Sequence, residues 1–297
     1  MKKHFSAILI FILLSSFCFG LENLSFFLEP RFSFTWGELS ELLYDTDDSL
    51  KSQLDWEQKP LFDMGLAAGI NYKAFLLEAA FDYSIPVGTS YMFDSDFEDG
   101  KKYSYTEQPI EKNVNLNTEL SLSYEIKVTP VISVLPIMDL KYLYNSFDGG
   151  KGKGSRRGRK IKVNKVDYYR HSFFIFLGTG LEFQPFDKLT FSTDFLIAPW
   201  CYQYSFDYHY GKNYPYPFSS IEIQNGFFSK YKLDLSADYA FTKKIALTAF
   251  TSFLFGFTDK GKFYSDYYSE NIVLFNNQQS GSNIYSVKLG SSIKFSF

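Results

Sequence analysis

Two short motifs carry the residue types best suited to moving a proton. Asp94-Ser95-Asp96 lies within Tyr91-Met92-Phe93-Asp94-Ser95-Asp96-Phe97, and Asp207-Tyr208-His209-Tyr210 follows much later in the chain. In each, two ionisable groups stand at i and i+2, which extended backbone places on one face. A histidine oriented by an aspartate takes a proton from water, while an opposed pair of carboxylates holds that water and tunes the local charge. Alone, Asp-x-Asp is ordinarily a solvated turn or a weak cation site, and Asp-x-His is only slightly more specific. Arrival at one place is what would make them a site. A hydrolytic metal centre is the competing use, but one histidine with scattered carboxylates is a poor zinc set.

Strands must bring these motifs together, and the chain's strand pattern is clearest at its end. From Tyr285 to Phe297 one face carries Tyr285, Val287, Leu289, Ile293, Phe295 and Phe297, and the other Ser286, Lys288, Gly290, Ser292, Lys294 and Ser296. The same alternation recurs at Val114–Val128, at Phe173–Phe183 and at Tyr231–Tyr239, with Asp, Glu and Lys repeatedly on the second face. A face that charged belongs to a wet lumen, and the apolar face then meets lipid. Ten strands are expected, at 24–37, 53–72, 74–87, 113–128, 130–147, 166–184, 188–206, 226–241, 244–258 and 283–297. Short joints (at 71–73, 128–130, 184–188 and 241–244) alternate with long ones (38–52, 88–112, 148–165, 207–225 and 259–282). That is the signature of a transmembrane antiparallel up-and-down β-barrel with tight periplasmic turns and long outer loops. Strands three and seven both run outward, so Asp94/Asp96 and Asp207/His209 are expected to face each other across the outer mouth.

The remaining composition agrees. Aromatic residues make up 20% of the chain, with 34 Phe and 23 Tyr, yet mean hydropathy is only −0.16. Lumen-facing polar residues dilute lipid-facing ones in a barrel, and aromatic excess suits interfacial girdles. Residues 1–20 read as a signal peptide: Met1-Lys2-Lys3-His4 is basic, Phe5 to Leu14 apolar, and small residues surround a cleavage point after Gly20. Phe17 speaks against lipidation of Cys18. Residues 21–297 then form one barrel domain in which Cys201 is the sole cysteine, so no intramolecular disulfide is expected. The net charge of −3 says little about partners, although nucleic acid is not one expected of an exported acidic barrel.

The chain resembles the omptins, ten-stranded outer-membrane endopeptidases, over nearly its whole mature length. Ser52-Gln53-Leu54-Asp55-Trp56 is similar to the omptin segment before strand two. Met92 to Phe97 is similar to the family's Asp-x-Asp-Trp stretch with Phe97 in place of tryptophan, and Asp207-Tyr208-His209-Tyr210 to its Asp-Glu-His-Tyr motif. Leu289-Gly290 through Phe297 matches the family's last strand. The resemblance implies hydrolysis of peptide bonds near basic residues, with His209 as general base, Asp207 orienting it, and Asp94 and Asp96 positioning the water and supporting the oxyanion. It implies a substrate pocket containing Glu41 and, where the family has a second acid two residues before the dyad aspartate, Ser205. That departure implies a looser preference for basic residues. It further implies no metal or organic cofactor, a dependence on lipopolysaccharide, peptide or protein substrates, and a monomer in outer-membrane lipid whose site faces the cell exterior.

Outside these motifs, the basic run Lys151-Gly152-Lys153-Gly154-Ser155-Arg156-Arg157-Gly158-Arg159-Lys160 reads as a mobile solvated loop, an anionic-lipid contact, or a self-cleavage site. The alternative to a protease is a non-catalytic barrel serving as adhesin, structural protein or narrow porin. A ten-stranded lumen is largely filled by side chains, which argues against an open pore.

Overall fold

A computed structural model describes residues 23–210, 218–266 and 273–297. The segment expected to be a signal peptide, residues 1–20, lies outside the described residues. All regular structure in the described chain is antiparallel strand.

Ten segments close a ring. They are β1 (Leu24–Tyr44), β2 (Leu50–Tyr72), β3 (Phe75–Pro86), β5 (Lys101–Tyr124), β7 (Ile132–Gly149), β10 (Val166–Phe186), β11 (Leu189–His209), β13 (Lys230–Ala240), β14 (Ile245–Phe257) and β16 (Val273–Ser296). Each pairs with the next, and β16 pairs with β1 from Phe27↔Ser296 to Tyr44↔Gln279. Closure leaves no free edge, the condition for crossing lipid with strands.

The expected ten strands are present but extend further than the apolar alternation suggested. β1, β2, β5 and β16 run for 21, 23, 24 and 24 residues, about twice the 9–11 that a tilted strand needs to cross a bilayer. Most of the chain expected as long outer loops is a second tier of sheet. β4 (Tyr91–Glu98) joins β2 to β5 above β3, and β12 (Phe218–Gly226) with β15 (Gly261–Asp266) joins β11 to β16 above β13 and β14. Between β5 and β7 lies the short β6 (Ile126–Thr129).

The basic segment is likewise not a free loop. β8 (Gly152–Arg156) and β9 (Arg159–Val163) form a hairpin, and β8 pairs with β5 from Glu107↔Lys153 to Ser104↔Arg156. Its two turn residues, Arg157 and Gly158, have φ of 48° and 76°, as Asp99 and Gly100 do at 51° and 70° between β4 and β5. Positive φ at both positions is the twist-matched two-residue hairpin turn, for which X-Gly is the favoured sequence.

Outward side chains divide the wall in two. Leu28, Phe32, Phe34 and Trp36 on β1, Met64, Leu66 and Ile70 on β2, Phe173, Leu177, Leu181 and Phe183 on β10, and Tyr285, Leu289, Ile293 and Phe295 on β16 form an exposed apolar band. Above it the outward positions of β2 become polar, with Gln53 donating to Asp55 at 2.9 Å and Lys59 paired with Glu57. A lone polar wall could not face lipid, so the membrane-spanning stretch ends near Trp36, Phe62 and Tyr285 and the upper tier projects beyond it.

Ion pairs cross the lumen inside the band. Lys232 Nζ reaches Glu119 at 2.5 Å, Asp139 at 2.7 Å and Asp234 at 3.0 Å, and Lys288 reaches Asp82 at 2.9 Å. Above them Trp56 stacks on Tyr168 and Phe147 at centroid distances of 5.1 and 5.3 Å. These rings pack with Leu39, Leu54 and Met92 in the buried core. The charged side chains line a lumen cavity of about 350 Å³, and the aromatic rings above it form the floor of the mouth.

Candidate active site

On this floor lies a cleft of about 290 Å³ whose walls include Asp94, Asp96, Asp207, His209 and Glu41. Strand pairing builds each wall. Ser52, Asp96, Ser104 and Arg156 form one lateral row across β2, β4, β5 and β8. Asp207 pairs with Ser220, and His209 with Phe218, across β11 and β12. Both i, i+2 pairs thus face inward, as the period-two argument requires.

His209 Nε2 bonds Asp207 Oδ2, and Ser220 Oγ donates to Asp207 Oδ1. Phe218 lies flat on the imidazole, with centroids 4.2 Å apart and planes 9° apart. Ring and carboxylate are both buried, at 6% and 3% exposure. The second ring nitrogen, Nδ1, is buried and makes no hydrogen bond among the described residues. Asp94, on β4, is buried and lines the same cleft. The Asp96 carboxyl is pushed up by burial, against hydrogen bonds from Ser104 and Ser52 and the charges of Arg156 and His209.

Glu41 lines the cleft and is buried at 5% exposure. Ser205 is buried too; it pairs with Glu222 on β12, and its hydroxyl donates to Glu222 Oε2 at 3.1 Å. Burial raises both carboxyls; repulsion from Glu222 and Asp207 adds to it at Glu41, and repulsion from Asp207 at Glu222, where a hydrogen bond with Glu41 works the other way; Glu41 lies well above the usual range and Glu222 is pushed up to about 8. Glu41 Oε2 and Glu222 Oε1 lack hydrogen-bond partners among the described residues. Arg170 braces the base, donating from Nε to Tyr168 Oη at 2.6 Å and from Nη2 to the Ser40 carbonyl at 2.8 Å. Its charge partly offsets the two acids.

Sequence reasoning missed Glu222, Ser220, Ser104, Phe218 and Arg170. Register across the β11–β12 hairpin would have found the first, because pairing His209 with Phe218 puts Glu222 opposite Ser205. Among the described residues no group of three or more His, Cys, Asp or Glu side chains is arranged to hold a metal ion.

Barrel, projecting tier and carboxylate–imidazole cleft define an outer-membrane barrel with a hydrolase-like mouth. The model of the omptin family matches residues 32–297. The chain belongs to the omptin family. Its fold is similar to that of the outer-membrane protease OmpT of Escherichia coli, with TM-score 0.77 at 14% identity over 92% of this chain and 97% of that one. Weaker likenesses include Neisserial surface protein A, with TM-score 0.31 at 10% identity over 93% and 100% of the two chains. OprG of Pseudomonas aeruginosa follows, with TM-score 0.36 at 8% identity over 93% and 98%. No curated protein matches this sequence significantly.

Proposed function

We propose that the chain is an endopeptidase that hydrolyses the bond beside a basic residue. Asp207–His209 activates the water opposite Asp94 and Asp96, and Glu41 with Glu222 holds the basic side chain. The observation that carries this reading is one cleft lined by both acidic motifs and by Glu41. Water held against Asp94 and Asp96 gives its proton to His209 Nδ1 as its oxygen attacks the carbonyl carbon. Asp207, fixed by Ser220, holds Nε2–H and stabilises the imidazolium, and Phe218 keeps the ring plane in place. Asp96, which burial inclines to keep a proton, donates to the oxyanion, and the imidazolium then returns its proton to the leaving nitrogen.

The two pocket acids suit a cation. Each has an oxygen without a partner and a raised affinity for protons, the state that an entering guanidinium or ammonium group would reverse. In this scheme no metal or organic cofactor takes part. The barrel acts as a monomer, the cleft faces the cell exterior, and outer-membrane lipopolysaccharide is required for full activity. The buried aromatic floor beneath the mouth speaks against the porin alternative.

The test is hydrolysis of quenched fluorescent peptides, with and without Arg, by purified refolded protein given lipopolysaccharide. Cleavage beside Arg, unaffected by EDTA, is expected. Absence of cleavage in every peptide by folded protein, or loss in EDTA restored by zinc, overturns the proposal.

A further inference from the structure

The cleft is charged differently at its two walls, and the cationic wall comes from the basic hairpin. Arg156 ends β8 directly beside Ser104 and lines the cleft with Asp96 and Tyr103. The hairpin is tied down there. Arg157 Nη2 donates to both carboxylate oxygens of Glu98, at 2.7 and 3.0 Å, and its amide donates to the Tyr103 carbonyl at 2.7 Å. Arg157 therefore spends its charge on Glu98, whereas Arg156 has no carboxylate within ion-pair distance among the described residues. Its guanidinium lies over the Tyr103 ring, 5.8 Å from the centroid. Gly154, one inward position below, lets β8 approach so closely because a Cβ there would stand 2.1 Å from the Tyr105 carbonyl oxygen. Lys51 lines the same cleft.

Glu41, on β1, also lines the cleft, and Glu222 is buried beside it. An extended peptide sends successive side chains to opposite faces, so the two residues flanking the bond over Asp96 and His209 meet opposite charges. Building on the proposed peptidase activity, we infer that this cleft selects a basic residue on one side of the scissile bond and an acidic residue on the other, with Arg156 as the residue that recognises the acid. Paired basic residues are disfavoured because the second cation meets Arg156. The Arg156-Arg157 bond of the hairpin is, for the same reason and because both strands beside it are paired, a poor substrate for the enzyme itself.

The experiment compares peptides identical except at the residue across the bond from Arg, carrying Glu, Ala or Lys there, in both sequence orders. In wild type, kcat/KM for the preferred order should fall from Glu to Ala to Lys, with about a tenfold span, attraction and repulsion at an exposed charge each supplying a few-fold. Arg156→Glu should invert that order. Lys equal to or better than Glu in wild type, or an unchanged ratio in Arg156→Glu, overturns the inference. A second readout separates this inference from the activity on which it builds: fluorescence anisotropy of the same peptides on His209→Ala protein. If no peptide is hydrolysed but the Glu peptide binds more tightly than the Lys peptide and Arg156→Glu reverses this, recognition stands and peptidase function falls. Equal affinities in both proteins overturn the recognition itself.

Discussion

Glu222→Gln should cut kcat/KM for a peptide with Arg beside the scissile bond by about tenfold to a hundredfold, while a matched peptide with a neutral residue there changes only a few-fold. The figure follows from burial: a hydrogen bond to a charged partner is worth about 1.5–3 kcal/mol when desolvated, and Glu222 is 2% exposed. The pH dependence adds a sharper signature. With its carboxyl pushed up to about 8, Glu222 holds a proton in the empty pocket, and a bound cation expels it. Affinity for the basic peptide must therefore rise with pH. If only the ionised form takes the cation, going from pH 6 to pH 8 strengthens binding by about fifty-fold. Stability has the opposite sign. A carboxyl raised on folding contributes stability that is fully present below its unfolded value, near 4.5, and is lost as pH rises through about 8. Glu222→Gln should therefore lose less stability than wild type between pH 6 and pH 9. The assay is kcat/KM for paired Arg and neutral peptides across pH 6–8, with urea unfolding at both ends. An Arg-to-neutral ratio that is flat with pH and identical in wild type and Glu222→Gln would refute the reasoning.

Further outcomes follow from neighbouring residues. The double variant Ser205→Asp/Glu222→Ser, which moves the acid from β12 to β11, should recover Arg preference to within a few-fold of wild type, measured by the same peptide pair. Phe218→Ala, which frees the imidazole plane, should lower kcat about tenfold with KM little changed. Lys232→Met strands Glu119, Asp139 and Asp234 around an absent cation and should cost about 3–5 kcal/mol in urea unfolding. If that variant is as stable as wild type, the lumen charges are not mutually dependent.

Much of this architecture was legible where lipid imposes a pattern. Leu289, Ile293 and Phe295 face lipid while Lys288 and Lys294 turn to Asp82 and Glu29, so alternation there is strong. Above the band both faces of the wall are wet, and the pattern weakens. Ser220, Glu222 and Gln224 point inward with Ser219, Ile221 and Ile223 between them, a stretch too polar to be told from a loop by alternation. The basic hairpin fails for a related reason. Gly, Lys and Arg bring no apolar face, so β8 is held to β5 by backbone pairing that side-chain chemistry does not announce. Asp94/Asp96 and Asp207/His209 could be found because i, i+2 spacing survives in any extended backbone. Glu222 could not, since its meaning lies in a cross-strand partner, Ser205.

The most direct test of the dyad is kcat/KM of His209→Ala and Asp207→Asn on an Arg-containing peptide, beside the double variant Asp94→Asn/Asp96→Asn. Each must first be shown to be folded by its electrophoretic shift on heating. These groups act on one water as a unit, so each change should reduce activity at least a thousandfold and combining all of them should add little. Activity within a few-fold of wild type in folded His209→Ala protein would contradict the account.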